Sequence, residues 1–168
     1  NRVVFWNMTD NAGIEETTKI HQKSVSSIVF SPDGKSIYSA DFGNMVIKWS
    51  APHDSDIAIH SIETTSRTQS LVLQPGSGSL YAASENGITY WAPTTKGEEE
   101  PRLFATIKDG ARSLAISHDG KWVAAGQNSG EGLVSLLDAA TGKIIKRLEE
   151  PISPVAAVAF SHDDSLLA

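Results

Sequence analysis

FSPDGKSIYSADFGNMVIKWS, residues 30–50, reads as strand-forming runs punctuated by two turns. The turn chemistry is local. In Ser31-Pro32-Asp33-Gly34 the proline presets φ for the second position of a type I turn, aspartate suits the third and glycine closes the fourth. On either side lie short runs rich in β-branched and aromatic residues, "SSIVF" (26–30), "SIYSA" (36–40) and "MVIKWS" (45–50). No helical periodicity of useful length interrupts them.

The pattern returns along the chain. Phe30, Leu73, Ile116 and Phe160 align at intervals of 43, 43 and 44 residues. Their surroundings read "SSIVFSPDGKSIYSA", "QSLVLQPGSGSLYAA", "RSLAISHDGKWVAAG" and "AAVAFSHDDSLLA". A third run follows in each copy, at 2–7, 45–50, 87–92 and 133–138. A fourth and weaker one appears at 103–107 and at 144–148, the latter after the turn 138–143. Each period is thus about four short strands. A sheet that small with two apolar faces cannot bury them alone and must stack on neighbours. Four strands per 43 residues suit radial stacking, and the fold class expected is all-β: a β-propeller. The blade parts are 1–23, 24–66, 67–109, 110–151 and 152–168.

Residues 21–49, "HQKSVSSIVFSPDGKSIYSADFGNMVIKW", resemble a WD40 repeat. His21 matches the histidine of the family's Gly-His pair, with Ile20 in place of the glycine. Trp6, Trp49 and Trp91 resemble the tryptophan of its Trp-Asp pair, although Asn7, Ser50 and Ala92 follow them. The fourth such position keeps Asp138 after Leu137. The resemblance covers essentially the whole chain. It implies a structural hydrogen-bonded set, to which the second copy comes nearest with His21, Ser39 and Trp49, and with Asp41 or Asn44 as the acidic or amide member. In the other copies Thr64 and Pro151 fall near the histidine slot, so side-chain packing is expected to carry more of the stability there.

The first copy begins just before a third strand and the last stops within a second. Aligned on the second copy, Ala168 meets Tyr38 and Asn1 meets Asn44. Two expectations follow. In one, these 168 residues belong to a longer propeller. In the other, the complementary half-blades of two chains pair and close an eight-bladed ring, giving a homodimer in solution.

The chemistry-bearing residues are sparse. There is no cysteine, so disulfides, thiolate zinc sites and thiol catalysis are absent. Histidines 21, 53, 60, 118 and 162 show no metal-ligand spacing, and His118-Asp119 and His162-Asp163 recur because the turn recurs. "GQNSGEG" (126–132) lacks the lysine and helix of a phosphate loop and reads as a turn. No nucleophile elbow is present. The expectation is therefore no enzyme, no metal and no cofactor. A net charge of −6 and a pI near 5.3 oppose nucleic-acid binding, and no apolar run is long enough to cross a bilayer. The lack of a signal-peptide pattern at the N-terminus and of cysteine leads to a cytoplasmic expectation. "NMT" (7–9) fits a glycosylation sequon and is set aside on the same ground; "KGEEEP" (96–101) is an acidic loop.

Loops between blades and loops joining second to third strands should share one rim. It would carry Gln22, Lys23, Arg67, Lys108 and Arg112, with Asp41, Glu85 and Asn86. Arg67 and Arg112 are expected at corresponding strand starts in adjacent blades, suited to carboxylates or phosphorylated segments. The function expected is a protein–protein interaction scaffold using this rim, with Lys23, Arg67, Lys108 and Arg112 as its contacts. A sensor or regulatory module of a larger chain is the alternative; an enzyme on a propeller scaffold ranks last.

Overall fold

Three four-stranded antiparallel sheets follow one another along the chain in a computed structural model that describes residues 3–4, 21–50, 59–64, 66–92, 101–128, 133–149 and 154–168. The first contains β1 (Val25–Phe30), β2 (Ser36–Asp41), β3 (Met45–Ser50) and β4 (Ile59–Glu63). The second contains β5 (Thr68–Leu73), β6 (Leu80–Ser84), β7 (Gly87–Trp91) and β8 (Arg102–Ala105). The third contains β9 (Ala111–Ile116), β10 (Trp122–Gln127), β11 (Leu133–Asp138) and β12 (Ile144–Glu149). Within each sheet, strands adjacent in sequence are neighbours in space. A further hairpin starts after Pro154 and is pinned by the bridge between Phe160 and Leu167. No helix occurs among the described residues.

The core lies between sheets. Val3, Ile37, Ile47 and Trp49 form one cluster; Val46, Leu71, Leu80 and Trp91 centre the next, between the first and second sheets. Tyr81, Ile88, Ile107, Leu114, Val123 and Leu137 fill the gap between the second and third. Stacking explains why β6 and β10 are buried along nearly their whole length rather than at alternate residues. A strand covered on both faces has no solvent face to make polar. The small residues of "LYAAS" and "WVAAGQ" let the neighbouring sheet approach.

The strands nearest the axis, β1, β5 and β9, each carry a β-bulge at the same place. Ser26, Gln69 and Arg112 are skipped by the pairing with β2, β6 and β10. A bulge turns local backbone groups out of the ladder, and a serine next to it serves the neighbouring blade. Ser27 Oγ accepts from the Leu71 amide at 3.0 Å, and Ser113 Oγ donates to the Val155 carbonyl at 3.1 Å.

The turns between first and second strands fold as their sequence dictates. Gly34, Gly120 and Asp164 each donate an amide three residues back, to Ser31, Ser117 and Ser161, at 2.9 Å. Asp33, Asp119 and Asp163 accept from those same serine hydroxyls at 2.6–2.8 Å. These bonds hold the aspartates below the usual carboxylate range. Asp119 is drawn down to about 2 by Lys121, then Ser117, and Asp163 to about 2 by Ser161 and Ser165. The turn Gln74–Ser79 differs: with Gly76 in place of the aspartate, Gly78 bonds four residues back to Gln74.

Candidate functional site

Blade one carries a complete chain of buried hydrogen bonds. Trp49 Nε1 donates to Ser39 Oγ at 2.7 Å; Ser39 Oγ lies 2.6 Å from His21 Nε2; His21 Nδ1 lies 3.2 Å from Asp41 Oδ2. An indole N–H only donates, so Ser39 accepts there and its hydroxyl proton is left for His21 Nε2. In the neutral imidazole Nδ1 then keeps the proton and donates the hydrogen bond to Asp41 Oδ2. The His21 and Asp41 side chains are each 1% exposed. Asp41 also accepts the amides of Gly43 at 2.8 Å and Lys23 at 3.4 Å. The acidic member is therefore Asp41, and not Asn44. Sequence reasoning left that choice open because both sit in the same turn.

The set dissolves from blade to blade. Phe30 faces Ile37 and Ile37 faces Trp49; Leu73 faces Leu80 and Leu80 faces Trp91. This register places Ala82 where blade one has Ser39, Ser84 in place of Asp41 and Thr64 in place of His21. Thr64 donates instead to the Ser66 carbonyl at 2.8 Å. Trp91 Nε1, buried, has no partner among the described residues. In blade three the same positions are Ile107, Ala125, Gln127 and Leu137, three of them apolar, and no indole needs an acceptor. Ala82→Ser places a hydroxyl where Ser39 holds its own. We expect this variant to raise the unfolding free energy by about 1 kcal/mol by satisfying Trp91, read as a higher urea midpoint at unchanged slope. A lowered midpoint would mean that blade two has no room to copy blade one. Trp6 lies outside the described residues, as do the sequon at 7–9, His53 and the acidic run at 96–100.

The loops that enter each sheet and the turns after each second strand share one rim. Phe42 donates its amide to Ser24, Asn128 to Gly110 and Thr64 to Asn44, at 2.9, 3.3 and 2.7 Å. Lys23, Arg67, Lys108 and Arg112 are all exposed there, and no ion pair engages any of them among the described residues. One expectation is corrected. Arg67 and Arg112 do not hold corresponding positions, because the register aligns Arg112 with Gln69 and Arg67 with Ser24. They are 45 residues apart in a repeat of 43. Arg112 is the bulged residue of β9, whereas Arg67 precedes β5 and lies with its guanidinium 4.3 Å from the centre of the Phe42 ring. Sequence reasoning missed Phe42, whose only signal was a lone aromatic in a polar turn.

On the opposite rim Asp164 stands where Gly34 and Gly120 stand in other copies, with φ at 57°. Its carboxylate accepts the amides of His118 at 2.8 Å and Asp119 at 2.9 Å, and lies 3.1 Å from His118 Nδ1. Burial against that turn opposes the charged form, but the amide bonds outweigh it and the carboxyl titrates below its usual range. The His118 and His162 rings meet edge to face, 5.1 Å between centroids. Gln74 Nε2 makes a similar crossing to the Gly120 carbonyl at 2.7 Å. These contacts are seams between blades. Among the described residues no group of three or more potential ligands is placed to hold a metal ion. The depression near the axis is lined by apolar groups such as Val29, Phe30, Leu73, Ile116 and Phe160, with no ionisable side chain.

Sequentially stacked four-stranded sheets, with the first strand of each nearest the axis, are the blades of a β-propeller. Among solved structures, the chain is similar to that described as the crystal structure of the Myceliophteria thermophila Cps50 (Swd1) β-propeller domain, with a TM-score of 0.83 at 19% identity. The match covers 99% of this chain and 55% of that one, so the chain spans about half the length of its neighbour. Residues 14–50 match the family described as WD domain, G-beta repeat. The fold is that of a β-propeller, and the stretch that matches the WD40 repeat model takes in β1 to β3 of blade one, the blade that keeps the full histidine-to-tryptophan bonding. Comparison with curated proteins by sequence found no match.

Proposed function

We propose that this chain is a non-catalytic interaction platform that presents the rim carrying Lys23, Arg67, Lys108 and Arg112 to partner proteins. The observation that carries the reading is the set of four exposed cations, without ion pairs among the described residues, on a chain of net charge −6. Cations left unpaired on one edge of an acidic protein attract acidic partner segments and repel basic ones. Stacked blades hold the rim loops in place, so little loop entropy is lost when a partner binds. The depression near the axis, lacking ionisable groups, offers nothing to an acid–base reaction.

The test is a quantitative pull-down with the chain and its Arg67→Glu/Arg112→Glu variant. Both residues are exposed surface groups, so the variant should melt within about 2 °C of the parent. We expect it to lose the proteins that the parent retains. An unchanged set of captured proteins, at unchanged intensity, would remove the rim from consideration.

A further inference from the structure

We propose that Lys23, Phe42 and Arg67, at the junction of the first two blades, form a notch that takes a carboxylate-bearing peptide segment, an acidic side chain next to an apolar one. The proposal rests on the rim reading above and narrows it to one place and one chemistry.

The repeats themselves single out this junction. Where blade one has Lys23 and Phe42, blade two has Ser66 and Glu85, and blade three has Asp109 and Asn128. Where blade two has Arg67, blade three has Gly110, whose added Cβ would lie 2.7 Å from the Glu85 carbonyl oxygen. Phe42 and Asn128 donate the same backbone bond to the entering loop, to Ser24 and Gly110, so the turn itself does not ask for an aromatic ring. At the second junction the acidic residues Glu85 and Asp109 accompany Lys108 and Arg112 in the same loops. Of these two junctions, the first presents positive charge without an acidic residue at the matching positions.

Its geometry is also prepared. Phe42 is 41% exposed, a large apolar residue left partly open to solvent. The Arg67 guanidinium rests over that ring at 4.3 Å, which limits its rotation and leaves its N–H edges for a ligand. Lys23 runs its stem past the same turn: a Cβ added at Gly43 would meet Lys23 Cγ at 3.4 Å. The turn is held from below by Asp41, which accepts the amides of both Lys23 and Gly43 and is itself bonded to His21. The buried hydrogen-bond chain of blade one thus positions the notch above it. A guanidinium fork matches a carboxylate bidentately, and an open ring gives an apolar neighbour somewhere to rest.

The probe is an acetylated, amidated hexapeptide of alternating glutamate and leucine, titrated into the isotopically labelled 168-residue chain and followed by NMR. Glutamine–leucine and phosphoserine–leucine versions serve as comparisons. We expect the glutamate peptide to shift the Arg67 Nε–H and the Phe42 amide, and the glutamine peptide to shift neither. Arg67→Gln should weaken binding about tenfold. Phe42→Ala, which changes no charge, should weaken it roughly threefold or more. Lys108→Gln/Arg112→Gln, which removes two positive charges elsewhere on the rim, should leave affinity within about twofold. If that double variant loses as much as Arg67→Gln, the notch is overturned while the wider rim survives. Phosphoserine peptide binding more than about tenfold tighter than the glutamate peptide would overturn the carboxylate. If no peptide shifts any of the four rim cations, the rim falls along with the notch.

Discussion

Trp49→Ala should lower the unfolding free energy by about 3–5 kcal/mol, the usual cost of deleting a buried indole ring. Trp49 is fully buried and packs with Val3, Ile37 and Ile47 at the first blade interface. The substitution leaves a cavity that backbone pairing on both sides prevents from closing. It also strips Ser39 of its donor and loosens the bonds through His21 to Asp41, whose carboxylate is 1% exposed. At this size the loss corresponds to roughly 6–20 °C in melting temperature. A sharper comparison sets Trp49→Phe against Trp91→Phe. Both keep a ring and lose an N–H. Trp49 has an acceptor to lose, whereas Trp91 Nε1 has no partner among the described residues. Trp49→Phe should therefore cost about 1 kcal/mol more. Equal urea midpoints for the two phenylalanine variants would mean that the hydrogen-bond chain adds nothing beyond packing.

Gly87→Ala should be of comparable severity for a different reason. Gly87 opens β7 with φ at 125°, a region that L side chains rarely adopt. An added Cβ would stand 2.3 Å from the Ala105 carbonyl oxygen and 2.9 Å from the Ile107 amide nitrogen. Both are backbone atoms of the same blade, so no rotamer change relieves the clash. Strain of about 1–3 kcal/mol adds to a similar overpacking cost. Gly34→Ala is the control. Its φ is 70°, but nothing lies within 4 Å of the new Cβ. Only the left-handed conformation is charged there, at about 1–2 kcal/mol. Chemical denaturation of both variants should rank Gly87 well below Gly34; the reverse order would refute a rigid contact between the start of β7 and the segment after β8.

Several features were legible because they are local. The interval of 43 residues, the turn residues and the strand-forming runs place strands at 45–50 and 133–138, where β3 and β11 lie. The buried ring of Trp49 and its link to His21 and Ser39 followed from the repeat's resemblance. Arg67 and Arg112 looked equivalent because each stands near a strand start, but 45 residues separate them in a repeat of 43, so Arg67 falls ahead of its strand while Arg112 takes the bulged position that Gln69 holds in β5. Phe42 carried no periodic signal, and its contact with Arg67 forms only when the next blade docks. Asp164 gave no signal in the sequence, and its carboxylate binds the backbone of the preceding blade.

From the sequence alone came the all-β repeat and the need to stack, since each four-stranded unit is too small to cover two apolar faces. The tertiary structure decided which side chains cross from blade to blade: Ser27 to Leu71, Gln74 to Gly120, Arg67 to Phe42 and Asp164 to His118. The physical reason is range. Turn and strand preferences are settled within a few residues, whereas these contacts join groups 25 to 46 positions apart, and their geometry exists only once neighbouring sheets have packed at a definite angle and register.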